Sequence, residues 1–182
     1  MANTYCAAVR GGIDEWNRVY HDTEYGFPLH GDDELFERLV LEINQAGLSW
    51  LTILKKREAF RAAYAGFSVD KVAAFNDVDR DRLLADAGII RNKLKVNAAI
   101  ENAQRIKALR KTHGGFGQWI DSHHPQELDG WTKLFKKQFV FTGGEIVREF
   151  LTSAGYLPGA HDEECPVHNK ILKLKPAWAK WA

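Results

Sequence analysis

Apolar residues recur every three or four positions along this chain, and this periodicity is the feature that most constrains its fold. The clearest run follows three consecutive acidic residues and consists of Leu35, Phe36, Leu39, Val40 and Ile43. This spacing places one apolar stripe on a helix, and the preceding acids suit the positive end of the helix dipole. Segments that alternate between apolar and polar residues are almost absent. The pattern therefore predicts an all-α protein.

The same periodicity, together with capping residues, predicts helices along most of the chain. The expected helices cover residues 32–46, 50–65, 69–75, 78–86, 91–113, 117–122, 130–138 and 144–154. Ser68 and Asp77 are the expected N-caps of the third and fourth of these helices. Residues 139–142 are the one short strand candidate, and we expect helix packing to override it.

A single domain is expected over residues 1–182. The chain is 45% apolar, which is enough for one sizeable core, and it contains no repeat, low-complexity tract or linker. No apolar run approaches the roughly 18 residues of a membrane span, and the N-terminus does not resemble a leader peptide. The two cysteines lie at opposite ends, which favours a reducing compartment. We therefore expect a cytoplasmic protein with no membrane partner.

Two of the expected helices form a hairpin over about residues 77–111. Only four residues, 87–90, separate the end of the first helix from the start of the second. A connection this short forces the two helices to pack beside one another. Gly88 is expected to supply the left-handed backbone that such a reversal uses.

The second helix of this hairpin concentrates positive charge that the net charge of +1 conceals. Residues 91–111 hold seven basic residues and one acidic residue, Glu101. An exposed helix N-terminus offers unpaired N–H groups to a phosphate, and Arg91, Lys93 and Lys95 would reinforce that attraction. Composition alone favours a plainer alternative, a solvated basic face on an ordinary helix pair.

Four residues near the two ends of the chain form a candidate zinc set: Cys6, His21, His161 and Cys165. Two thiolates and two imidazoles complete a closed tetrahedral site, which would join the N- and C-terminal segments. His168 is a reserve ligand. The spacing alone is a weak signal for zinc and favours the alternatives taken together: a buried free Cys6, surface histidines, or a disulfide between the two cysteines.

Aromatic residues stand beside acidic ones in two segments, residues 20–26 and 42–50. Flat aromatic rings next to a carboxylate suit the binding of a planar, cationic ligand. Glu42 interrupts an apolar run, so it either faces solvent or is buried for a purpose. Composition alone favours Tyr20 and Trp50 as core residues over walls of a pocket.

Four segments of the chain, in order, carry a resemblance to a known family. They are Tyr20-His-Asp with Glu24 and Gly26, then residues 45–50 (QAGLSW), 54–58 (LKKRE) and 86–91 (DAGIIR). The chain resembles the 3-methyladenine DNA glycosylase I family over nearly its whole length. The resemblance implies an all-α helix-hairpin-helix fold and a structural zinc ion held by the four Cys and His residues. It also implies removal of 3-methyladenine from alkylated double-stranded DNA.

Carried over residue by residue, the resemblance assigns a base-binding site. Glu42 would be the catalytic acid that hydrogen-bonds the extruded adenine edge, and we expect it to be ionised. Trp50 would stack on the base, with Tyr20 as a polar neighbour. Tyr25 stands where family members often have Trp, and Asn17 stands roughly where they have a second tyrosine.

The resemblance also assigns the contacts to DNA. Leu48, in the turn before Trp50, would be the wedge that fills the gap left by the flipped nucleotide. The expected backbone contacts come from the hairpin and are Gly88, Ile89, Ile90, Arg91, Lys93 and Lys95. Water would attack the sugar carbon, and no lysine stands out as a Schiff-base nucleophile, so we expect no strand cleavage. We expect a monomer that associates with the nucleoid through DNA.

Two alternative functions remain open from the sequence. Asn17 or Glu145 can reshape the site toward another alkylated or deaminated base. A noncatalytic protein that binds DNA lesions is the second alternative, because the hairpin and zinc site can persist without turnover.

Overall fold

The computed structural model describes residues 4–180, which contain eleven α-helices and no β-strand. The helices are α1 (Tyr5–Arg10), α2 (Glu15–Thr23), α3 (Asp32–Gln45), α4 (Trp50–Ala63), α5 (Val69–Ala73), α6 (Asp77–Ala85), α7 (Lys93–His113), α8 (Phe116–His123), α9 (Leu128–Gln138), α10 (Gly144–Ser153) and α11 (Pro166–Lys173). Two short 3₁₀ helices cover Ala65–Phe67 and Ala177–Lys180. The predicted all-α class is confirmed for the described residues.

Helices α3 and α7 run through the main core, and α4, α5, α8 and α10 pack around them. Leu35 and Leu39 of α3 are fully buried, as are Ile100 and Ala103 of α7. The strand candidate at 139–142 forms an irregular bend and no strand, as we expected from helix packing. Within residues 4–180, no helix has the length and apolar character that crossing a membrane requires.

Four predicted helix starts shift by one or two residues, those of α6, α7, α8 and α9, and capping side chains explain the first two. Helix α6 is capped by Asn76, whose side chain accepts hydrogen bonds from the backbone N–H groups of Val78 and Asp79. Asp77 is therefore the first residue of the helix and not its cap. Helix α7 begins at Lys93, because the side chain of Asn92 accepts from the next N–H groups in the same way.

The predicted hairpin between α6 and α7 is present, but the role expected for Gly88 is wrong. Gly88 is not among the glycines with a positive φ. A Cβ atom at this position would lie 3.0 Å from the Cβ of Ala59 and 2.9 Å from Oδ1 of Asp86. The glycine is needed because α4 approaches the turn closely, and not because the backbone is left-handed.

Candidate active site and metal centre

A cavity of about 330 Å³ opens where α2, α3, α4 and α10 meet. Its wall consists of Tyr5, Asn17, Tyr20, Tyr25, Glu42, Gln45, Trp50, Glu145 and Glu149. All five residues that the sequence assigned to base binding or catalysis lie in this wall. The volume is within the range of sites that enclose a small molecule.

Four aromatic rings form much of the cavity wall. The centroid of Tyr20 lies 5.1 Å from that of Trp50 and 5.8 Å from that of Tyr25. Tyr5 meets Tyr25 edge to face at 5.4 Å. Nη1 of Arg38 donates to Oη of Tyr20 over 2.8 Å, which fixes the Tyr20 ring. The site therefore presents aromatic surface whose orientation is set by the surrounding structure.

Glu42 is buried in this wall, with only 4% of its surface exposed. Its nearest described hydrogen-bond donor is Oγ of Ser153, at 3.5 Å from Oε1. Burial raises the pKa of Glu42 to about 8, Arg38 opposes the rise, and the negative charge of Glu149 adds to it. A raised pKa favours the protonated carboxyl group while the cavity holds no cation, and the ionised Glu42 expected beside a positively charged base stays a prediction. Nε1 of Trp50 also has no hydrogen-bond partner among the described residues.

Three cavity residues, Tyr5, Gln45 and Glu149, were missed in the sequence. Glu149 accepts a hydrogen bond from Oη of Tyr25 over 3.2 Å. It lies four residues after Glu145, and that spacing places both on one face of α10, so the helical pattern contained the signal. Tyr5 donates to the backbone and side-chain oxygens of Asn17 at 2.8 and 3.0 Å, which occupies the Asn17 amide oxygen.

The four predicted metal ligands form one buried cluster. Nε2 of His21 lies 3.2 Å from Sγ of Cys6 and 3.1 Å from Nδ1 of His161. Sγ of Cys165 lies 3.9 and 3.8 Å from the same two nitrogens. Around tetrahedral zinc, bonds of about 2.0 Å to nitrogen and 2.3 Å to sulfur separate neighbouring ligands by about 3.3 to 3.8 Å. The cluster can therefore hold a metal ion with little rearrangement.

The groups around the cluster orient both imidazoles toward the ligand position. Nδ1 of His21 donates to Oδ1 of Asp22 over 2.8 Å, which leaves Nε2 free to bind metal. Nε2 of His161 donates to the carbonyl oxygen of Tyr25 over 2.7 Å, which leaves Nδ1 free. Both histidines are buried and both cysteines are free thiols. The alternatives of surface histidines and a disulfide are therefore wrong.

Only part of the predicted basic surface faces solvent. Arg91 and Lys93 are exposed at the start of α7. Further along the helix, Arg105 pairs with Glu101, while Lys107 and Arg110 both pair with Asp70. Exposed positive charge without an acidic partner named here therefore lies at the N-terminal end of α7, and Lys111 is exposed near its C-terminal end.

Of the other predicted DNA contacts, Leu48 is 39% exposed in the turn between α3 and α4. Ile90 is half-buried and Ile89 is buried, so the hairpin offers mainly its backbone to a ligand. The phosphate contact predicted for Lys95 is wrong. Its side chain turns inward and its ammonium group donates to two backbone carbonyls, those of Asn44 and Ala46.

The sequence and fold match those of known proteins. The family model for methyladenine glycosylases matches residues 11–131. DNA-3-methyladenine glycosylase 1 of Escherichia coli K12 is 38% identical, over 75% of this chain and 83% of that protein. DNA-3-methyladenine glycosylase of Haemophilus influenzae is 36% identical, over 81% and 89%.

Solved structures give the same result. A structure of 3-methyladenine DNA glycosylase I from Staphylococcus aureus superposes with a TM-score of 0.79 at 33% identity. The match covers 87% of this chain and 94% of that one. The chain therefore belongs to the methyladenine glycosylase family, a family of hydrolytic enzymes.

Proposed function

We propose that this enzyme hydrolyses the N-glycosidic bond of 3-methyladenine in alkylated double-stranded DNA. The observation that carries the proposal is the buried Glu42 carboxyl group in a cavity walled by aromatic rings. The DNA-3-methyladenine glycosylases to which this chain is similar, and the Staphylococcus aureus structure that describes recognition of 3-methyladenine, support the same substrate.

The cavity suits the charge of the substrate. Methylation at N3 leaves adenine positively charged and weakens its glycosidic bond. The activation barrier to hydrolysis is therefore already lower than for an uncharged base, and the enzyme needs to reduce it less. The faces of Trp50 and Tyr20 attract a planar cation. The positive charge of the base also favours ionisation of Glu42, so the carboxyl group releases its proton as the base binds. Recognition of the cation then supplies much of the catalysis.

Glu42 also selects adenine over guanine. The adenine edge presents the N6 amino group as a donor, whereas guanine presents the O6 acceptor at the same place. A carboxylate accepts from N6 and is repelled by O6. Nε1 of Trp50 is buried and has no hydrogen-bond partner within the described residues.

The burial of Glu42 requires the base to leave the duplex before it is read. Leu48 is exposed at the turn that leads into Trp50, and this position suits a wedge that enters the vacated stack. The exposed Arg91 and Lys93 lie at the start of α7, where unpaired N–H groups favour a phosphate. Water then attacks the sugar carbon. The proposed reaction ends with release of the free base and leaves the DNA strand uncut.

The metal in the Cys and His cluster is proposed to be zinc, because two thiolates and two imidazoles in tetrahedral geometry are its preferred closed set. When bound, it contributes structure and no step of the reaction. It joins α1 and α2 to the segment that carries His161 and Cys165, and so holds the cavity wall formed by Tyr5 and Tyr20 in place. The monomeric state and nucleoid association stay predictions.

Timed release of free base from methylated duplex DNA tests the proposal. The purified protein is assayed on 3-methyladenine, 7-methylguanine, hypoxanthine and uracil, and zinc is measured in the same sample. Release of 3-methyladenine above the other bases is expected. Release of a different base would support the altered-specificity alternative, and DNA binding without release would support a noncatalytic lesion binder.

A further inference from the structure

A buried lysine connects the hairpin to the turn that carries Leu48. Lys95 lies in the first turn of α7 and is 6% exposed. Its Nζ donates to the carbonyl oxygens of Asn44 over 2.9 Å and Ala46 over 2.7 Å. These carbonyls belong to the end of α3, where a cation satisfies unpaired acceptors and the negative end of the helix dipole.

The turn that follows α3 is tight. Gly47 adopts a φ of 81°, a left-handed conformation that favours glycine. The backbone N–H of Leu48 donates to the carbonyl oxygen of Gln45 over 2.7 Å, and Nε2 of Gln45 donates back to the Leu48 carbonyl over 3.3 Å. The position of Leu48 therefore follows from the position of the end of α3.

A second lysine makes the reverse connection. Helix α4 begins directly after the turn, and Nζ of its Lys56 donates to the carbonyl oxygens of Ala87 over 3.1 Å and Gly88 over 3.0 Å. These carbonyls lie in the hairpin turn. The segment on each side of Leu48 is thus hydrogen-bonded to the hairpin through a lysine side chain.

We propose that Lys95 is a positioning residue that fixes the Leu48 turn relative to the phosphate-binding end of α7. Contact of α7 with the DNA backbone then sets how far Leu48 enters the duplex. The inference rests on the proposed function, since it concerns extrusion of the base. The geometry requires Lys95 to act inside the protein, because both acceptors are backbone carbonyls and the ammonium group is shielded from a phosphate.

The variant Lys95→Met tests this role because it keeps much of the apolar stem and removes the two hydrogen bonds. Release of 3-methyladenine is measured on methylated duplex DNA and on the same DNA denatured after methylation. Lys95→Met is expected to lower kcat on the duplex by about tenfold and to change release from single strands less than about twofold, because misplacement matters only where a base must be extruded. Lys95→Arg is expected to restore part of the duplex rate.

Two other variants separate positioning from charge loss. Lys137→Met removes an exposed charge on α9 and is expected to leave both substrates unaffected. Lys93→Met removes a proposed phosphate contact and is expected to raise KM on both substrates, less strongly as salt increases, because the variant has one contact fewer for salt to screen. Should Lys95→Met fail to fold, Lys56→Met replaces it, with the same preferential loss on the duplex.

The outcomes are distinct. If Lys95→Met lowers kcat equally on both substrates, or on neither, the positioning role is overturned while the proposed function stands. Failure of the wild-type protein to release 3-methyladenine from either substrate would overturn the proposed function and this inference together.

Discussion

The metal cluster and the base cavity are built from the same segments of the chain. The imidazoles of the cluster have hydrogen-bond partners, whereas Glu42 and Trp50 in the cavity wall have few. Tyr5 and Tyr20 line the cavity, and the residue after each of them, Cys6 and His21, belongs to the cluster. Tyr25 serves both, since its ring lines the cavity and its carbonyl oxygen orients His161.

In the cluster, each imidazole has one nitrogen paired and the other aimed at a shared point. In the cavity, Glu42 has only a long contact to Ser153, and Nε1 of Trp50 has no partner within the described residues. A polar set that closes on a single point suits an ion and stability, whereas a buried carboxyl group with few partners in a cavity wall suits recognition of a larger ligand. The comparison predicts that changes at the two places affect different measurements.

The largest expected effect is on stability, from Cys165→Ser. Loss of a ligand is expected to remove the metal and lower the thermal unfolding midpoint by about 10 °C, because a tightly bound ion contributes about 4 kcal/mol to a protein of this size. Metal analysis measures the zinc content, and calorimetry measures the unfolding midpoint. An unchanged midpoint in a metal-free variant would show that the cluster does not stabilise the fold.

Glu42→Gln is expected to lower catalysis and to leave metal binding unchanged. Removing the carboxylate is expected to lower the rate of 3-methyladenine release by about 100-fold, since one buried polar group that contacts the reacting base has an effect of this order. Zinc content is expected to stay the same. Timed release, with metal analysis as the control, measures both, and full activity would remove Glu42 from the mechanism.

The same variant predicts a pH-dependent gain in stability. The pKa of Glu42 is about 8 in the folded protein and 4.5 as its ordinary value, so the folded state holds a proton that the unfolded state loses between these values. Stability is therefore lost as pH rises through this window. Glu42→Gln has no such proton to hold, so its free energy of unfolding does not fall in this way. The advantage in unfolding free energy of the variant over the wild type is expected to be larger at pH 8 than at pH 5, by on the order of 2 to 3 kcal/mol. Urea unfolding at both values measures the difference. Parallel curves would show that Glu42 is not desolvated.

Tyr25→Phe has the smallest expected effect and tests the shared wall. It removes the hydrogen bond to Glu149 and keeps the backbone carbonyl that orients His161. Excision is expected to fall about threefold, as for loss of one hydrogen bond, with zinc affinity unchanged. A simultaneous fall in zinc affinity would show that the ring, and not only the backbone, supports the cluster.

The sequence was informative where a residue's chemistry is independent of its neighbours. Two thiols and two imidazoles have few uses together, and the structure places all four in one cluster. Helical periodicity predicted α3 and α4 to within a few residues, because each buries an apolar face.

Predictions failed where tertiary contact decides. Lys95 and Lys93 differ by half a helical turn, and only packing shows that one points at the end of α3 while the other faces solvent. The reason for Gly88 was likewise wrong, because the approach of Ala59 on α4 is not visible in the local sequence. Glu149 was missed because its role arises from the position of α10 beside Tyr25.

A crystal structure of the protein with 3-methyladenine tests the central claim most directly. We expect the base in the cavity, stacked on Trp50, with its N6 atom at hydrogen-bond distance, about 3 Å, from a carboxyl oxygen of Glu42. A base bound elsewhere, with Glu42 still sealed in the protein interior, would contradict the account.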